Sequence, residues 1–255
     1  MKKNGLIFLV DFFRLKQWVK NLFIFFPLLF SGQFFDNHLL FNCFKAFWGF
    51  CFISSGVYIL NDYLDREQDR FHPQKAQRPM AQLKIDSKII ALLIIFMTAV
   101  GLIICQTIGT PVTVMALIYI FVHLIYNFYT KRIVILDVIF VASGFHIRIW
   151  AGALASQIVP SVWLQMCVFL LALFLGFTKR RYELSTLKDK ASEHRSVLAH
   201  YTSYLLDQII IICSTLAIAF YGLIPFLSIL SIGWEIKTWF TLWLLSFMEF
   251  SVICI

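Results

Sequence analysis

Apolar runs near 20 residues long recur along this 255-residue chain, separated by short polar breaks. A helix rising about 1.5 Å per residue needs about 20 residues to cross the hydrocarbon of a bilayer. The runs predict eight transmembrane helices, at 19–35, 39–60, 87–106, 111–128, 133–155, 160–177, 204–230 and 237–255. Only 14% of the residues are charged and 60% are hydrophobic, against roughly 25% charged in soluble domains. The expected fold is therefore all-α, a polytopic membrane helix bundle. No low-complexity linker or soluble appendage interrupts it, so residues 1–255 read as a single transmembrane domain.

The net charge of +8 could suit nucleic acid, but the placement of the charges argues for a membrane surface. With the N-terminus in the cytoplasm, 19 of the 22 lysines and arginines fall on the inner side, and only Lys45, Arg148 and Lys237 lie elsewhere. The positive-inside rule supports that orientation. Outer connections such as "QTIGTP" and "ASQIVP" are short and uncharged, so the residues capable of chemistry face the cytoplasm. Asp11, Arg14 and Lys16 break the first apolar run and no small-residue cleavage site follows, so no cleaved signal peptide is expected. Six scattered cysteines without metal-ligand spacing read as packed thiols.

Four of the fourteen acids fall within eight residues, in "NDYLDREQD" from Asn61 to Asp69. If the second helix runs on past Leu60 at about 100° per residue, Asn61, Asp62, Asp65 and Asp69 share one face within about 100°, while Glu67 points away beside the arginines. Carboxylates this close repel one another unless a cation sits among them. Hard oxygen donors without nearby histidine or cysteine select Mg²⁺ or Mn²⁺, and Mg²⁺ commonly completes its shell with water and substrate phosphate. Asp62, Asp65 and Asp69 are thus candidate metal ligands, and a phosphorylated ligand is expected with the metal. The alternative is a solvated loop in which Arg66 and Arg70 balance the acids. The following "HPQKAQRP" adds Lys75 and Arg78 between two prolines, as donors for phosphate oxygens.

"NDYLDREQD" resembles the aspartate-rich NDxxDxxxD motif of the UbiA superfamily of intramembrane prenyltransferases. Together with "RLKQWVKNLFIFFPLLFSG", "YNFYTKRIVILDVIFVASGFHIRIWAGALA" and "KRRYEL...HRSVLAHYT", it resembles the decaprenyl-phosphate phosphoribosyltransferase branch, over most of the chain from Arg14 to Tyr201. The resemblance implies a Mg²⁺-dependent transferase of the bacterial inner membrane, acting at a cytoplasmic cavity. Phosphoribosyl pyrophosphate would be the donor and a polyprenyl phosphate the acceptor. It further implies that Asn61, Asp62, Asp65 and Asp69 hold Mg²⁺ and pyrophosphate, with Lys75 and Arg78 beside them. Tyr126, Lys131 and Asp137 match the branch's positions around the fourth and fifth spans. Lys131 would bind phosphate, and Asp137 would hold a ribose hydroxyl or orient a lysine, unless it forms a buried ion pair.

Arg148, deep in the fifth span, should face a polar cavity or a partner, because an unpaired arginine there costs at least about 2.5 kcal/mol. Phosphate binding and a structural pairing, for instance with an acid on a neighbouring helix, are both open. His146 points to another face and reads as packed, and Gly144 and Gly152 suit close helix contact.

The loop after the sixth span separates two chemistries. The superfamily's aromatic prenyltransferases carry a second DxxxD motif there. Here Asp189 and Glu193 have the spacing, but the surroundings are basic, and Lys179, Arg180, Glu183, Arg195 and Tyr201 match the phosphoribosyl branch better. A prenyltransferase using a polyprenyl diphosphate and an aromatic acceptor is the alternative, and a membrane transporter a third reading. The family norm is nine helices, whereas this sequence stops within or just after the eighth, implying a shortened chain or a fold that closes without the last helix.

Overall fold

The computed structural model describes residues 5–71, 75–82, 85–187 and 196–231. In chain order its α-helices are α1 (Gly5–Phe12), α2 (Phe26–Phe30), α3 (Asn37–Leu64), α4 (Arg66–Phe71), α5 (Pro79–Gln82), α6 (Ser87–Gln106), α7 (Thr110–Phe128), α8 (Leu136–Ser156), α9 (Val162–Leu187) and α10 (Ser203–Ser231). Among the described residues α3, α6, α7, α8, α9 and α10 are long and apolar enough to cross a membrane. They correspond to the predicted second to seventh spans; the predicted eighth, 237–255, lies outside the described residues.

The predicted first span differs. Instead of one α-helix over 19–35, eleven residues of 3-10 helix, Leu15–Phe25, lead into the five of α2. At about 2.0 Å per 3-10 residue and 1.5 Å per α residue the pair covers about 30 Å, enough to cross the hydrocarbon with fewer residues than an α-helix needs. In a 3-10 helix residues i and i+3 eclipse. Trp18, Asn21 and Ile24 accordingly form one stripe turned into the bundle, while Lys16, Val19 and Leu22 form an exposed one. Trp18 donates to the Ser55 hydroxyl at 2.9 Å, Asn21 to the Ser54 hydroxyl at 3.3 Å, and Ile24 is fully buried.

Polar caps set where the long helices begin. The Asp36 carboxylate accepts from the His38 and Leu39 amides at 2.9 and 3.1 Å at the start of α3, and Asp86 accepts from the Lys88 amide at 3.0 Å at the start of α6. The sixth span was expected to end at 177, yet α9 runs to Leu187. Its extension "KRRYELSTL" contains neither glycine nor proline and is rich in good helix formers.

α8 is the centre of the bundle, packing against the 3-10 segment, α2, α3, α7 and α9. The main core gathers Ile24, Leu28, Phe50, Ile53, Ile147 and Ala151. A Cβ on Gly152 would lie 1.8 Å from the Ile24 carbonyl oxygen, so α8 and the 3-10 segment approach as closely as they do only because this position has no side chain. On the outside, Leu92, Ile95 and Ile103 of α6, Phe121 of α7 and Ile211 and Ile218 of α10 are exposed, a surface suited to lipid.

Candidate active site

The acidic stretch sits where α3 leaves the apolar region. α3 continues beyond Leu60 to Leu64, and α4 follows after a single break at Asp65. The helical path is nearly unbroken there: the Asp65 amide donates to the Asn61 carbonyl at 3.0 Å, and the Asp69 amide to the Asp65 carbonyl at 2.9 Å. Asp62 and Asp69 are buried and Asp65 partly so. Glu67 is exposed and pairs with Arg66 and Arg70 at 3.4 and 3.0 Å, away from the other three acids.

Three cations from three separate segments meet these acids. Arg14, at the start of the 3-10 segment, grips Asp62 with two parallel bonds of 2.8 and 2.7 Å. One guanidinium nitrogen of Arg78 bridges Asp62 and Asp69 at 3.1 and 2.6 Å. Lys131, in the turn between α7 and α8, reaches Asp65 at 2.5 Å. Arg70 donates to the Ala81 carbonyl at 3.1 Å, which ties α4 to α5 and keeps Arg78 over the acids. Burial works against the Arg14 charge, but the Asp62 hydrogen bonds and the charges of Asp62 and Asp69 outweigh it and raise the guanidinium above its ordinary pKa. A cleft of about 240 Å³ opens beside this cluster, lined by Asp11, Arg14, Lys16, Gln17, Gln77 and Arg78.

Among the described residues no three histidine, cysteine or acidic side chains converge closely enough to hold a metal ion. Instead, the Arg78 guanidinium stands between two carboxylates, where a cation is needed to offset their repulsion. The donor set, three carboxylates and the Asn61 amide, is all hard oxygen and fits Mg²⁺ in its chemistry.

A second network lies below the Lys131 turn. Asp137, fully buried in the first turn of α8, accepts from Arg180 at 2.7 Å and from the Tyr201 hydroxyl at 2.7 Å. Arg180 also reaches Glu183 at 3.1 Å and interacts electrostatically with Tyr126. The Tyr201 hydroxyl accepts from the Ile135 amide at 2.7 Å. Ile135 adopts φ 69°, a strained conformation for a β-branched residue, held between the two networks. Burial and the bond to Asp137 both push the Tyr201 phenol above its ordinary pKa. The buried-pair alternative for Asp137 describes this arrangement.

Arg148 is 2% exposed and apart from both networks. It donates to Asn21 at 2.7 Å, to the Gly144 carbonyl at 2.8 Å and to the Tyr119 hydroxyl at 2.8 Å. Its partners are neutral dipoles, and among the described residues it has no ion pair, so the acid envisaged on a neighbouring helix is not its partner.

Asn61, Asp62, Asp65, Asp69, Arg78 and Lys131 therefore gather at the mouth, and Asp137, Arg180, Glu183 and Tyr126 in the adjoining network. Lys179 lies on α9, directly before Arg180. Lys75 begins a short 3-10 turn, and Arg195, like Asp189 and Glu193, lies outside the described residues. Arg14, Asn21 and Tyr119 were missed by the sequence reading. A search for a period of three around Trp18 would have placed Asn21 on the inner side; Arg14 and Tyr119 carry no comparable signal.

A family model described as the UbiA prenyltransferase family matches residues 22–253. A decaprenyl-phosphate phosphoribosyltransferase of Mycolicibacterium smegmatis is 32% identical over 228 residues, 88% of this chain and 72% of that protein. Its namesake from Corynebacterium glutamicum is 30% identical over 214 residues, 82% of this chain and 64% of that protein. Among solved structures, a UbiA homolog from Archaeoglobus fulgidus bound to GPP and Mg²⁺ superposes with a TM-score of 0.78 at 15% identity, covering 96% of this chain and 86% of that one. The same homolog bound to DMAPP and Mg²⁺ gives 0.77 at 16% identity.

Proposed function

We propose, from the premise that this chain belongs to the UbiA prenyltransferase family, that it moves 5-phosphoribose from phosphoribosyl pyrophosphate to a polyprenyl phosphate. The observation that carries transferase chemistry is the matching of Asp62, Asp65 and Asp69 by Arg14, Arg78 and Lys131 at one end of the bundle. Similarity to two phosphoribosyltransferases over more than four fifths of the chain supports the choice of transferred group.

In the reaction, an oxygen of the acceptor phosphate bonds to C1 of the ribose as the bond from C1 to the pyrophosphate oxygen breaks. The electron pair leaves with pyrophosphate, and an oxocarbenium-like centre develops at C1. Arg14, Arg78 and Lys131, which neutralise the acids in the free protein, turn to the departing pyrophosphate and stabilise its growing charge. Asn61, Asp62, Asp65 and Asp69 would hold Mg²⁺, in keeping with the Mg²⁺ bound to the archaeal homolog. When bound, it supplies Lewis-acid stabilisation of the leaving group. Lys75 adds a further phosphate donor. Asp137, closed by Arg180 and Tyr201, orients Lys131 through the turn that joins them. Tyr126 and Glu183 hold the Arg180 guanidinium beside Asp137, and Lys179 and Arg195 serve as further phosphate donors.

A second reading, transfer of a prenyl group from its diphosphate to an aromatic acceptor, is favoured by the fold shared with a homolog bound to GPP. Purified protein incubated with Mg²⁺ and both substrate pairs in separate mixtures distinguishes the two. Product from phosphoribosyl pyrophosphate with polyprenyl phosphate supports the first; product only from prenyl diphosphate with an aromatic acid rejects it.

A further inference from the structure

Arg14 adopts φ 56° and ψ 39°, the left-handed conformation for which a helix end usually has glycine. It joins two kinds of helix in one residue. On one side the Phe13 amide bonds the Leu9 carbonyl at 3.0 Å, four residues back as in α1; on the other the Gln17 amide bonds the Arg14 carbonyl at 2.8 Å, three residues back as in the 3-10 segment. A residue with a Cβ is strained in this conformation, so its surroundings must hold it there.

Two residues on one face of α3 do so. Ser55 and Asp62 stand two helical turns apart, about 10.5 Å along the axis and within about 20° of each other around it. The Ser55 hydroxyl donates to the Phe13 carbonyl at 2.9 Å and fixes the peptide that precedes Arg14, while Asp62 takes the guanidinium. The same hydroxyl accepts from the Trp18 indole at 2.9 Å, and the indole is set edge-on to Trp48 at 5.6 Å and tilted against Phe52 at 6.4 Å. A hydroxyl has one proton to donate, and serines in helices commonly direct it to a carbonyl of their own helix. Ser54, Ser143 and Ser156 do this, at 3.1, 2.8 and 2.8 Å. Ser55, 1% exposed, directs it instead to a carbonyl 42 residues earlier.

We propose that Ser55, oriented by Trp18, is a positioning residue that holds the backbone of Arg14 in its left-handed turn and so aims the guanidinium at the pyrophosphate. In the free protein Arg14 is held at two points, its backbone on Ser55 and its side chain on Asp62. When the guanidinium leaves Asp62 for the departing pyrophosphate, the side-chain anchor is released. The Ser55 bond does not have to break for that swing, and it keeps the turn in place on the side of the cleft that Arg14 lines. The role rests on the reading of Arg14 as a cation for the leaving group in phosphoribosyl transfer. The clamp itself rests on the hydrogen bonds.

The test measures binding of inorganic pyrophosphate with Mg²⁺ to the purified full chain in detergent, for wild type, Ser55→Ala, Ser55→Thr, Arg14→Gln and the double variant Ser55→Ala with Arg14→Gln. Thermal unfolding establishes that each is folded. Ser55→Ala should weaken pyrophosphate about fivefold or more, part of the value of one charge-assisted hydrogen bond, and Ser55→Thr, which keeps the hydroxyl, should stay within about threefold of wild type. In the Arg14→Gln background Ser55→Ala should change affinity by less than about twofold, because its effect passes through Arg14; a merely structural serine would cost the same in both backgrounds. Trp18→Phe, which keeps the ring and frees the hydroxyl to turn to its own helix, should weaken binding in the same direction and decides the matter if Ser55→Ala does not fold. Unchanged affinity in folded Ser55→Ala, an equal loss in both backgrounds, or no pyrophosphate binding by wild type overturns the proposal. Product only from a prenyl diphosphate would reject the phosphoribosyl-transfer reading and leave the Ser55 result standing, since pyrophosphate departs in both reactions.

Discussion

Arg14 and Asp62 form a bidentate pair, Nε to Oδ2 at 2.8 Å and Nη2 to Oδ1 at 2.7 Å, joining the head of the 3-10 segment to the end of α3. The pair fixes a buried carboxylate in orientation and holds in reserve a cation suited to phosphate. A lysine cannot reproduce the planar fork. Arg14→Lys should lower kcat/KM at least about tenfold and cost about 1.5–3 kcal/mol of stability, the range for a hydrogen bond to a charged group. Steady-state kinetics with thermal unfolding in detergent check both, and wild-type values for the two would remove Arg14 from the site.

On the proposed reading Asp65 and Asp69 serve the chemistry more than the fold, each holding a cation at the mouth of the bundle. Asp65→Ala and Asp69→Ala should each abolish turnover while the protein stays folded by circular dichroism and size-exclusion chromatography. Normal rates in either variant would sink the metal and pyrophosphate assignment.

Because arginine and lysine already neutralise these acids, the bundle does not need a divalent cation to stand. Chelation should therefore remove activity while shifting Tm by less than about 2 °C, and added Mg²⁺ should restore the rate. Unfolding on chelation would mean that a metal is part of the folded core.

Tyr201 bonds both Asp137 and the strained Ile135, so Tyr201→Phe strips a partner from a buried carboxylate and from an amide at once. The expected loss is about 2 kcal/mol or more. If the turn also positions Lys131, KM for the phosphorylated donor should rise more than kcat falls. A purely structural residue would lower stability and leave the KM of the folded fraction unchanged.

Gly152→Ala would place a Cβ 1.8 Å from the Ile24 carbonyl oxygen, whereas a Cβ on Gly222 meets nothing within 4 Å. Gly152→Ala should sharply reduce the yield of monodisperse protein, with Gly222→Ala as the control; equal yields would show that the 3-10 segment can move away.

Much of this architecture was legible in the chain. Six of the predicted spans coincide with long helices because hydropathy at membrane depth leaves little choice of structure. The shared face of Asn61, Asp62, Asp65 and Asp69, and the exclusion of Glu67, followed from helical periodicity alone. The first span was misread because its pattern repeats every three residues, and an α-helical template cannot align Trp18, Asn21 and Ile24. The partners of the site residues were invisible for another reason. Arg14 lies 48 residues before Asp62 and Lys131 lies 66 after Asp65, and pairing at such separations is set by packing. Arg148 showed the limit most clearly: its depth demanded partners, but nothing local indicated that they would be an asparagine, a carbonyl and a tyrosine.

The most direct measurement follows label from phosphoribosyl pyrophosphate into lipid. With ³²P in the 5-phosphate, wild-type protein, Mg²⁺ and a polyprenyl phosphate should yield radioactive lipid extractable into organic solvent; with ³²P in the β-phosphate, the label should stay in water as pyrophosphate. An organic phase without 5-phosphate label, under conditions where the protein turns over a prenyl diphosphate, would contradict transfer of phosphoribose.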